Sequence, residues 1–528
     1  MMTIRKKWLA LAVAAVCAGN VGAADDDRTR VETLHETTLN LIQLLVDQGV
    51  LKQEAADAML AKAKQQASDK LAQQKAAETS AEKGVVRVTY VPESVKREIR
   101  EQVRQEVVAQ AKEERWGDVN AVPEWLDRLK WDGDIRLRYQ GDFFSEGNAS
   151  EAVFRSAGQN ISNTLSDRHR ERVRLRLGLS ANVAGGVDAG VRITTGNTSD
   201  PVSTNQSLGN TGNKYNLVLD RAFLKLAPVD DLTLWGGRIP NPFFSTDLVW
   251  DDDLNFEGAA VSYAPGALDP QRAIKPFVTA GVFPLQEIEK NAGTRADDKW
   301  LFAAQAGMEW VPSTRMRFKL GAAYYQYENI AATLNPVPTT GFQDATQPQS
   351  RQKGNSLFVF DSDADNDNVA NEGDNLFGLA SDFRIGNLSL VADFADFYPI
   401  HVIASFDWAH NFGFDRGDIL KRSGQTLDDE VDGYQVKLTI GHPKFTYQDD
   451  GEWQAFVGYR YLERDAVLDA FTDSDFHLGG TNHKGFMVGG SYALFKNTWL
   501  SARWMSSDQI SGLPLSIDVL QLDLNAKF

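Results

Sequence analysis

The sequence predicts an all-β transmembrane barrel of about 16 antiparallel strands, preceded by an α-helical, coiled-coil-like segment. From residue 131 to the end, polar and apolar residues alternate with a period of two. The alternating stretches are about ten residues long, and clusters of Gly, Asn, Asp or Pro separate them. An export signal begins the chain, and the last alternating strand ends on the aromatic residue Phe528. A soluble β-sandwich would give similar alternation. The export signal, the aromatic residues near strand ends and the aromatic C-terminus favour a barrel instead.

Composition excludes several other classes of protein. The chain has 528 residues, a formal charge of -17 and a single Cys. One cysteine excludes a disulfide scaffold and a cysteine-based metal site. The acidic balance argues against nucleic acid as a partner, because binding phosphates needs a basic face. Helical membrane proteins need apolar runs of about 20 residues, and the one long apolar run is at the N-terminus.

Residues 1–23 read as a secretory signal peptide. Arg5, Lys6 and Lys7 precede an apolar run over residues 8–18, and small residues lead to a predicted cleavage after Ala23. The apolar run is too short to span a bilayer. We therefore expect an exported protein whose mature chain begins at residue 24.

Residues 24–130 are predicted to form a periplasmic helical segment and a linker. Apolar residues recur at heptad-like spacing from Val31 to Leu45, and a second helical pattern covers residues 93–115. The apolar stripes are narrow, so such helices need partner helices to bury them. Two interpretations remain open: a self-associating coiled coil, or two solvated helices packed on each other.

Residues 131–528 are predicted to form the barrel in the outer membrane, surrounded by lipid. Seven short connections alternate strictly with eight long ones, which gives 16 strands with both barrel ends on the periplasmic side. Residues 375–384 are assigned partly to a loop, because a seventeenth strand would break this alternation. A barrel of 16 strands is wide enough for an aqueous channel.

Alternation also predicts which side chains face the lumen. A charge at the bilayer midplane costs about 2–4 kcal/mol on the lipid face, so charged residues should point inward. The predicted pore-lining residues are Arg136, Arg138, Arg172, Arg174, Arg176, Arg192 and Arg221. The alternative is that these arginines only balance lumen acids such as Glu171 and Asp188.

The third long loop, residues 239–254, carries the acidic counterpart of this wall. Its predicted constriction residues are Asp247, Asp251, Asp252 and Asp253. Its apolar residues, such as Trp250, would be badly placed in water, so we expect the loop to fold into the barrel. Carboxylates opposite an arginine wall would create a transverse field, and the sequence leaves anion or cation selectivity undecided.

One loop resembles a calcium-binding pattern. Acidic residues occupy its positions 1, 3, 5, 7 and 12, a density of oxygen ligands that Ca²⁺ prefers. Asn366 replaces the turn glycine, and no helices flank the loop, so a solvated acidic loop tip is the alternative. The predicted ligands are Asp361, Asp363, Asp365, Asp367 and Glu372.

Several motifs resemble those of the putative porin family of Gram-negative bacteria. They are the run from Gly236 to Phe243 with Ser245, Thr246 and Asp247, the Tyr90–Glu93 segment before the basic helix, and the Trp131–Arg138 barrel entry. The resemblance covers nearly the whole mature chain. It implies an outer-membrane channel and, by analogy with general porins, a homotrimer. The terminal Phe528 likewise resembles the sorting signal of outer-membrane barrels.

The function predicted from these patterns is a water-filled diffusion channel for small hydrophilic solutes or ions. The alternative is an outer-membrane anchor whose residues 24–115 bind the cell wall or a periplasmic partner. An energy-coupled receptor would need a 22-stranded barrel with a plug domain, which the chain lacks. The sequence has no Gly-x-Ser-x-Gly and no His-Glu-x-x-His motif, so we predict no enzymatic activity.

Overall fold

One sheet of sixteen antiparallel strands makes up most of the structure. The computed structural model describes residues 128–335, 341–363, 375–443 and 451–528. The predicted signal peptide and nearly all of the predicted helical segment lie outside these residues. The barrel strands are β1 (Leu129–Phe144), β2 (Arg168–Ala184), β3 (Val187–Thr195), β4 (Leu217–Val229), β5 (Leu232–Pro240), β6 (Asn255–Tyr263), β7 (Ile274–Gln286), β8 (Lys299–Ser313), β9 (Met316–Glu328), β10 (Arg384–Phe397), β11 (Ile400–Asn411), β12 (Asp432–Gly441), β13 (Trp453–Leu462), β14 (His483–Phe495), β15 (Thr498–Gln509) and β16 (Ser516–Lys527).

The sheet closes on itself. Each strand pairs with the next, and β1 also pairs with β16, from Asp134 opposite Lys527 to Phe144 opposite Ile517. Closure leaves no free sheet edge in the barrel wall. A two-residue strand, Gln206–Ser207, pairs with β2 beyond the end of β3. The predicted closed barrel of 16 strands is confirmed.

The segment before β10 belongs to a loop, as the alternation of connections requires. Leu376–Leu379 pairs with Leu357–Asp361 in a separate two-stranded hairpin. The barrel strand itself begins only at Arg384. Two short helices also lie in long loops: α1 (Glu151–Ser156) follows β1, and α2 (Arg416–Ser423) follows β11.

The connections at one end of the barrel are mostly shorter than those at the other, although residues 264–273 and 442–452 at the short-turn end form longer connections than the last loop, residues 510–515. The turn between β2 and β3 has only residues 185 and 186 outside the strands. Gly186 adopts a φ of 75° there, and a Cβ at this position would lie 2.6 Å from the carbonyl oxygen of Ala227. Glycine fits this turn because it lacks a Cβ and tolerates positive φ.

The two faces of the wall differ in polarity. On β1, Leu137 is 49% exposed and Arg138 only 4%. Adjacent strand residues point to opposite faces, so the apolar residue lies outside and the cation inside. Within residues 128–335, 341–363, 375–443 and 451–528, no helix is long and apolar enough to cross a membrane.

Loops fill part of the barrel interior. The third loop (residues 241–254) and the seventh loop (residues 463–482) contribute buried apolar side chains to one cluster with inward residues of the wall. Leu248, Trp250 and Val467 are members of this cluster and have almost no exposed surface. The interior near these loops is therefore a packed core.

Candidate functional site

Arginines from β1 and β2 form one continuous inward face. The register places Asp134 opposite Arg176, Arg136 opposite Arg174 and Arg138 opposite Arg172. Because alternate residues share a face, side chains from both strands meet in the barrel interior. Five of the seven predicted pore-lining arginines lie on this pair of strands.

Several of these arginines pair with carboxylates. Arg138 lies 2.7 Å from Asp523 on β16 and 3.0 Å from Asp475 in the seventh loop. On the neighbouring side, Asp134 lies 2.8 Å from Arg174 and 2.7 Å from Arg176. These bonded pairs keep the side chains in place, since a charged hydrogen bond fixes both partners.

The arginine wall continues onto β3 and β4 through a bulge. Arg192 forms an ion pair with Asp220. The strand register shifts there: Arg192 pairs with Arg221, and the next residue, Ile193, pairs with Leu219. Asp220 is therefore the extra, unpaired residue of the bulge. Nε of Arg221 then donates to the side chain of Asn255 at 2.6 Å.

Three predicted pore-lining arginines have no carboxylate oxygen within 4.0 Å among the described residues. They bond to neutral groups instead: Arg136 to Asn205, Arg172 to Gln140 and Arg221 to Asn255. Neither Glu171 nor Asp188 pairs with any of the seven arginines. Glu171 lies between two inward arginines of β2 and is exposed. These two acids therefore do not neutralise the arginines, although four of the seven pair with other carboxylates.

The third loop lies inside the barrel, because it contacts strands from different parts of the wall. Its Thr246 donates to Asp407 on β11 at 2.7 Å, and the backbone of Phe244 exchanges two hydrogen bonds with Gln305 on β8. At the far end of the loop, Asp253 lies 3.2 Å from Arg176 on β2. A loop folded outward could not reach all three strands.

An aromatic cluster holds the third loop against the wall. Trp250 is 1% exposed, and its ring packs edge-on against Phe256 and Tyr325, each with centroids 4.9 Å apart. Phe243 also contacts both of these rings. Burial of such large rings is the main apolar contribution to docking of this loop.

The four carboxylates of the third loop have different surroundings. Burial raises the pKa of Asp247, but Arg460, 3.0 Å away, and Lys437 outweigh it and lower that pKa to about 2. For Asp253, burial is likewise outweighed by Arg174 and Arg176, and its pKa is lowered. Asp251 is buried beside Asp473 and Asp253, and burial and repulsion raise its pKa well above the usual range.

Asp252 is the one of these four whose side chain is exposed. No described residue donates a hydrogen bond to its carboxylate. Enclosure by the surrounding wall, with repulsion from Asp247 and Asp253, raises its pKa to about 6. It is thus a carboxylate in contact with water whose charge changes near neutral pH.

The seventh loop supplies acidic residues that the sequence analysis did not identify. Asp475 bridges Arg138 and Arg503, and these cations outweigh burial and hold its pKa well below the usual range. Asp473 lies 2.8 Å from the fully buried Arg460. The sequence does carry a signal for this loop. Residues 466–468 and 470–471 are apolar, like several residues of the third loop, which indicates that the seventh loop also packs inside the barrel.

The predicted calcium ligands lie partly outside the described residues. Asp361 and Asp363 are described, whereas Asp365, Asp367 and Glu372 are not. Asp361 accepts hydrogen bonds from the side chain of Asn335 and from the backbone N–H of Asp363. Among the described residues, no group of three or more His, Cys, Asp or Glu could hold a metal ion. Calcium binding stays a prediction.

A closed barrel with an apolar outer face, a charged interior and an inward loop defines an outer-membrane barrel of the porin class. The chain belongs to the family described as Putative porin, whose model matches residues 35–528. A comparison with curated protein sequences gave no match.

Solved structures of outer-membrane proteins resemble the barrel. One is OprB of Pseudomonas putida at high pH, with a TM-score of 0.42, 13% identity and coverage of 78% of this chain and 97% of that one. The outer membrane channel DcaP of Acinetobacter baumannii has a TM-score of 0.38 and 12% identity, with coverage of 76% of this chain and 97% of that one. The trimer form of OmpT of Vibrio cholerae has a TM-score of 0.39 and 10% identity, with coverage of 76% of this chain and 100% of that one.

Proposed function

We propose that the protein is a water-filled diffusion channel for small hydrophilic solutes, narrowed by its third loop. The observation that carries this proposal is the position of that loop inside the barrel, where Asp253 lies 3.2 Å from Arg176 on β2 and Asp247 lies 3.0 Å from Arg460 on β13. A channel needs a polar interior isolated from lipid, and the arginine face of β1 and β2 supplies one.

Fixed charges at the narrowed level would act on passing ions. Arg136 has no carboxylate within 4.0 Å among the described residues, whereas Asp252 on the loop is exposed. A positive wall opposite a negative loop produces a transverse field, which orients polar solutes and repels apolar ones. The cross-section and this field together would set the preference for small hydrophilic solutes.

Conductance of the purified full chain in a planar bilayer tests the proposal. We expect stepwise openings, and we expect a larger step when residues 244–252 are replaced by a short Gly–Ser linker. The matched control is a variant with a similar shortening of residues 208–215, which lie in the second loop (residues 196–216). A folded barrel with no conductance would contradict the proposal and favour an anchor.

We propose further that the channel is a homotrimer and that residues 24–115 lie in the periplasm. The heptad-like spacing from Val31 to Leu45 and the analogy with general porins support the trimer. The even number of strands, which leaves both barrel ends on the periplasmic side, supports the location. Cross-linking of the full chain and of a variant lacking residues 24–115 tests them. We expect trimers in the full chain, and association with the cell wall only if this segment also acts as a tether.

Binding of Ca²⁺ at residues 361–372 is a separate proposal that rests on the spacing of their acids. Calorimetry with calcium tests it. Heat that is absent from the double variant Asp361→Ala, Asp363→Ala would support a site. Equal heats in both proteins would end the idea.

A further inference from the structure

A basic cavity opens at the end of the barrel that carries the long loops. Along β2 its lining residues end at Arg172, whereas the third loop contacts the following inward residues, Arg174 and Arg176, through Asp253. It has a volume of about 440 Å³ and is bordered by the ends of β1 and β2 and by several long loops. A volume in this range suits a small organic molecule. The cavity is separate from the third loop, because no residue of 241–254 lines it.

Positive charge dominates the lining of this cavity. Arg168, Arg170 and Arg172 occupy successive inward positions of β2, and Arg351 of the fifth loop (residues 329–383) adds a fourth guanidinium. The carboxylates on the lining are Asp142 and Asp200. Four guanidinium groups against two carboxylates leave a net positive site that attracts anions.

The two carboxylates do not accept hydrogen bonds from all of the guanidinium N–H groups on the lining. Asp142 pairs with Arg170 at 2.7 Å, and Asp200 accepts the backbone N–H of Val202 at 3.1 Å. Arg172 has no carboxylate within 4.0 Å among the described residues and donates to Gln140 at 3.1 Å. The Nε atoms of Arg170 and Arg172 are buried without a described hydrogen-bond partner.

A guanidinium group has five N–H donors in a planar fork, which matches the two oxygens of a carboxylate or phosphate. Buried donors without acceptors are costly, so a ligand that supplies oxygen acceptors is favoured at this place. Chloride offers neither the two oxygens nor the planar match. The chemistry of the cavity therefore selects oxyanions over simple halides.

We propose that this cavity binds a small oxyanion, a carboxylate or a phosphate, before it reaches the third loop. The inference rests on the proposed channel function. Below the cavity, Arg174 and Arg176 follow Arg172 at intervals of two residues, roughly 6.6 Å apart along the strand. Both of these arginines pair with carboxylates. Arg136, which lies opposite Arg174 and has no carboxylate within 4.0 Å among the described residues, is therefore the next guanidinium group available to an oxyanion released from Arg172.

The test measures block of chloride current by added anions. Succinate and inorganic phosphate are added in turn on the long-loop side of a bilayer that holds the full chain, at constant ionic strength. We expect saturable block by at least one of them, and Arg172→Gln should raise its half-blocking concentration about tenfold or more, because a charged hydrogen bond is lost. Whichever anion blocks at the lower concentration identifies the preferred chemistry.

Two further variants and one binding measurement complete the design. Arg351→Gln lies in a loop and tests the cavity without altering a strand. Arg317→Gln is the matched control, because Arg317 lies on β9 near the short turns and does not line the cavity. We expect weaker block in the first variant and unchanged block in the second.

Calorimetry in detergent measures binding of the same anions independently of conduction. Binding that is weakened by Arg172→Gln in a channel that conducts supports both proposals. A conducting channel with equal block and equal heats in wild type, Arg172→Gln and Arg351→Gln overturns the oxyanion site and leaves the channel intact. A folded protein with neither conductance nor heat overturns both.

Discussion

Replacement of Trp250 by alanine should release the third loop from the wall. The indole is 1% exposed and packs edge-on against Phe256 and Tyr325, with 4.9 Å between ring centroids in each pair. Alanine would leave a cavity in the cluster that joins the loop to the barrel. The barrel wall itself is held by backbone hydrogen bonds between strands and should stay folded.

The size of the effect follows from what the indole contacts. Truncation of a buried tryptophan to alanine costs about 3–5 kcal/mol, of which each edge-on ring pair accounts for about 0.5–1.5 kcal/mol beyond burial. Since about 1.4 kcal/mol is a factor of ten, the detached population of the loop should rise roughly a hundredfold to several thousandfold. The polar contacts of Thr246 and Asp247 would remain. If they keep that end of the loop attached to the wall, the detached population should rise by only about a hundredfold.

Amide hydrogen exchange measures this population directly. The N–H of Asp251 donates to the carbonyl of Phe471 at 2.8 Å, so its protection reports docking of the loop. Trp310→Ala is the matched control, because Trp310 lies on β8, is 45% exposed and contacts Phe318. Unchanged protection of residues 246–251 in folded Trp250→Ala would refute the reasoning. Faster exchange in both variants would point instead to general loosening.

Three other perturbations have definite expected results. Asp252 has a pKa of about 6, so it is ionised above that pH and neutral below it. The reversal potential should therefore shift toward anion selectivity between pH 7 and pH 5. Asp252→Asn should reduce this shift, whereas Asp269→Asn, on an exposed turn, should keep it in full. Arg460→Met leaves the buried Asp473 and the partly buried Asp247 without their cation, which should cost about 3–5 kcal/mol and speed hydrogen exchange of the third loop. The triple variant that also carries Asp247→Asn and Asp473→Asn should recover protection, and failure to recover would contradict the ion-pair explanation. At Gly133 a Cβ would lie 2.5 Å from the ring of Phe528, so Gly133→Val should lower the temperature at which the barrel unfolds on a gel. Gly236→Ala, with no atom within 4 Å of its Cβ, should leave that temperature nearly unchanged.

The barrel was predictable because its determinants are local. Inward and outward positions alternate along each strand, so Arg138 and Leu137 could be assigned to opposite faces from the sequence alone. Strand number followed from the alternation of short and long connections, which corrected the extra strand at residues 375–384. The loop hairpin of Leu376–Leu379 explains why that stretch has strand-like residues without joining the wall.

The partners of each charge were not predictable, because they come from distant parts of the chain. Asp475 is 337 residues away from Arg138 along the chain, and no periodicity connects them. The apolar content of the third loop indicated that it packs against something. Residues 466–471 are also mostly apolar, and Phe471 packs against Trp250 of the third loop with ring centroids 6.2 Å apart.

The third and seventh loops depend on each other, and together they decide which arginines remain available. The backbone of Asp251 bonds to Phe471, and the hydroxyl of Thr472 donates to the carbonyl of Leu248. So docked, the two loops present Asp253 to Arg176 and Asp475 to Arg138. Loop packing therefore sets the electrostatics of the wall, since it neutralises some guanidinium groups while others have no carboxylate partner among the described residues. A mutation that shifts either loop should change ion selectivity even where every arginine is intact.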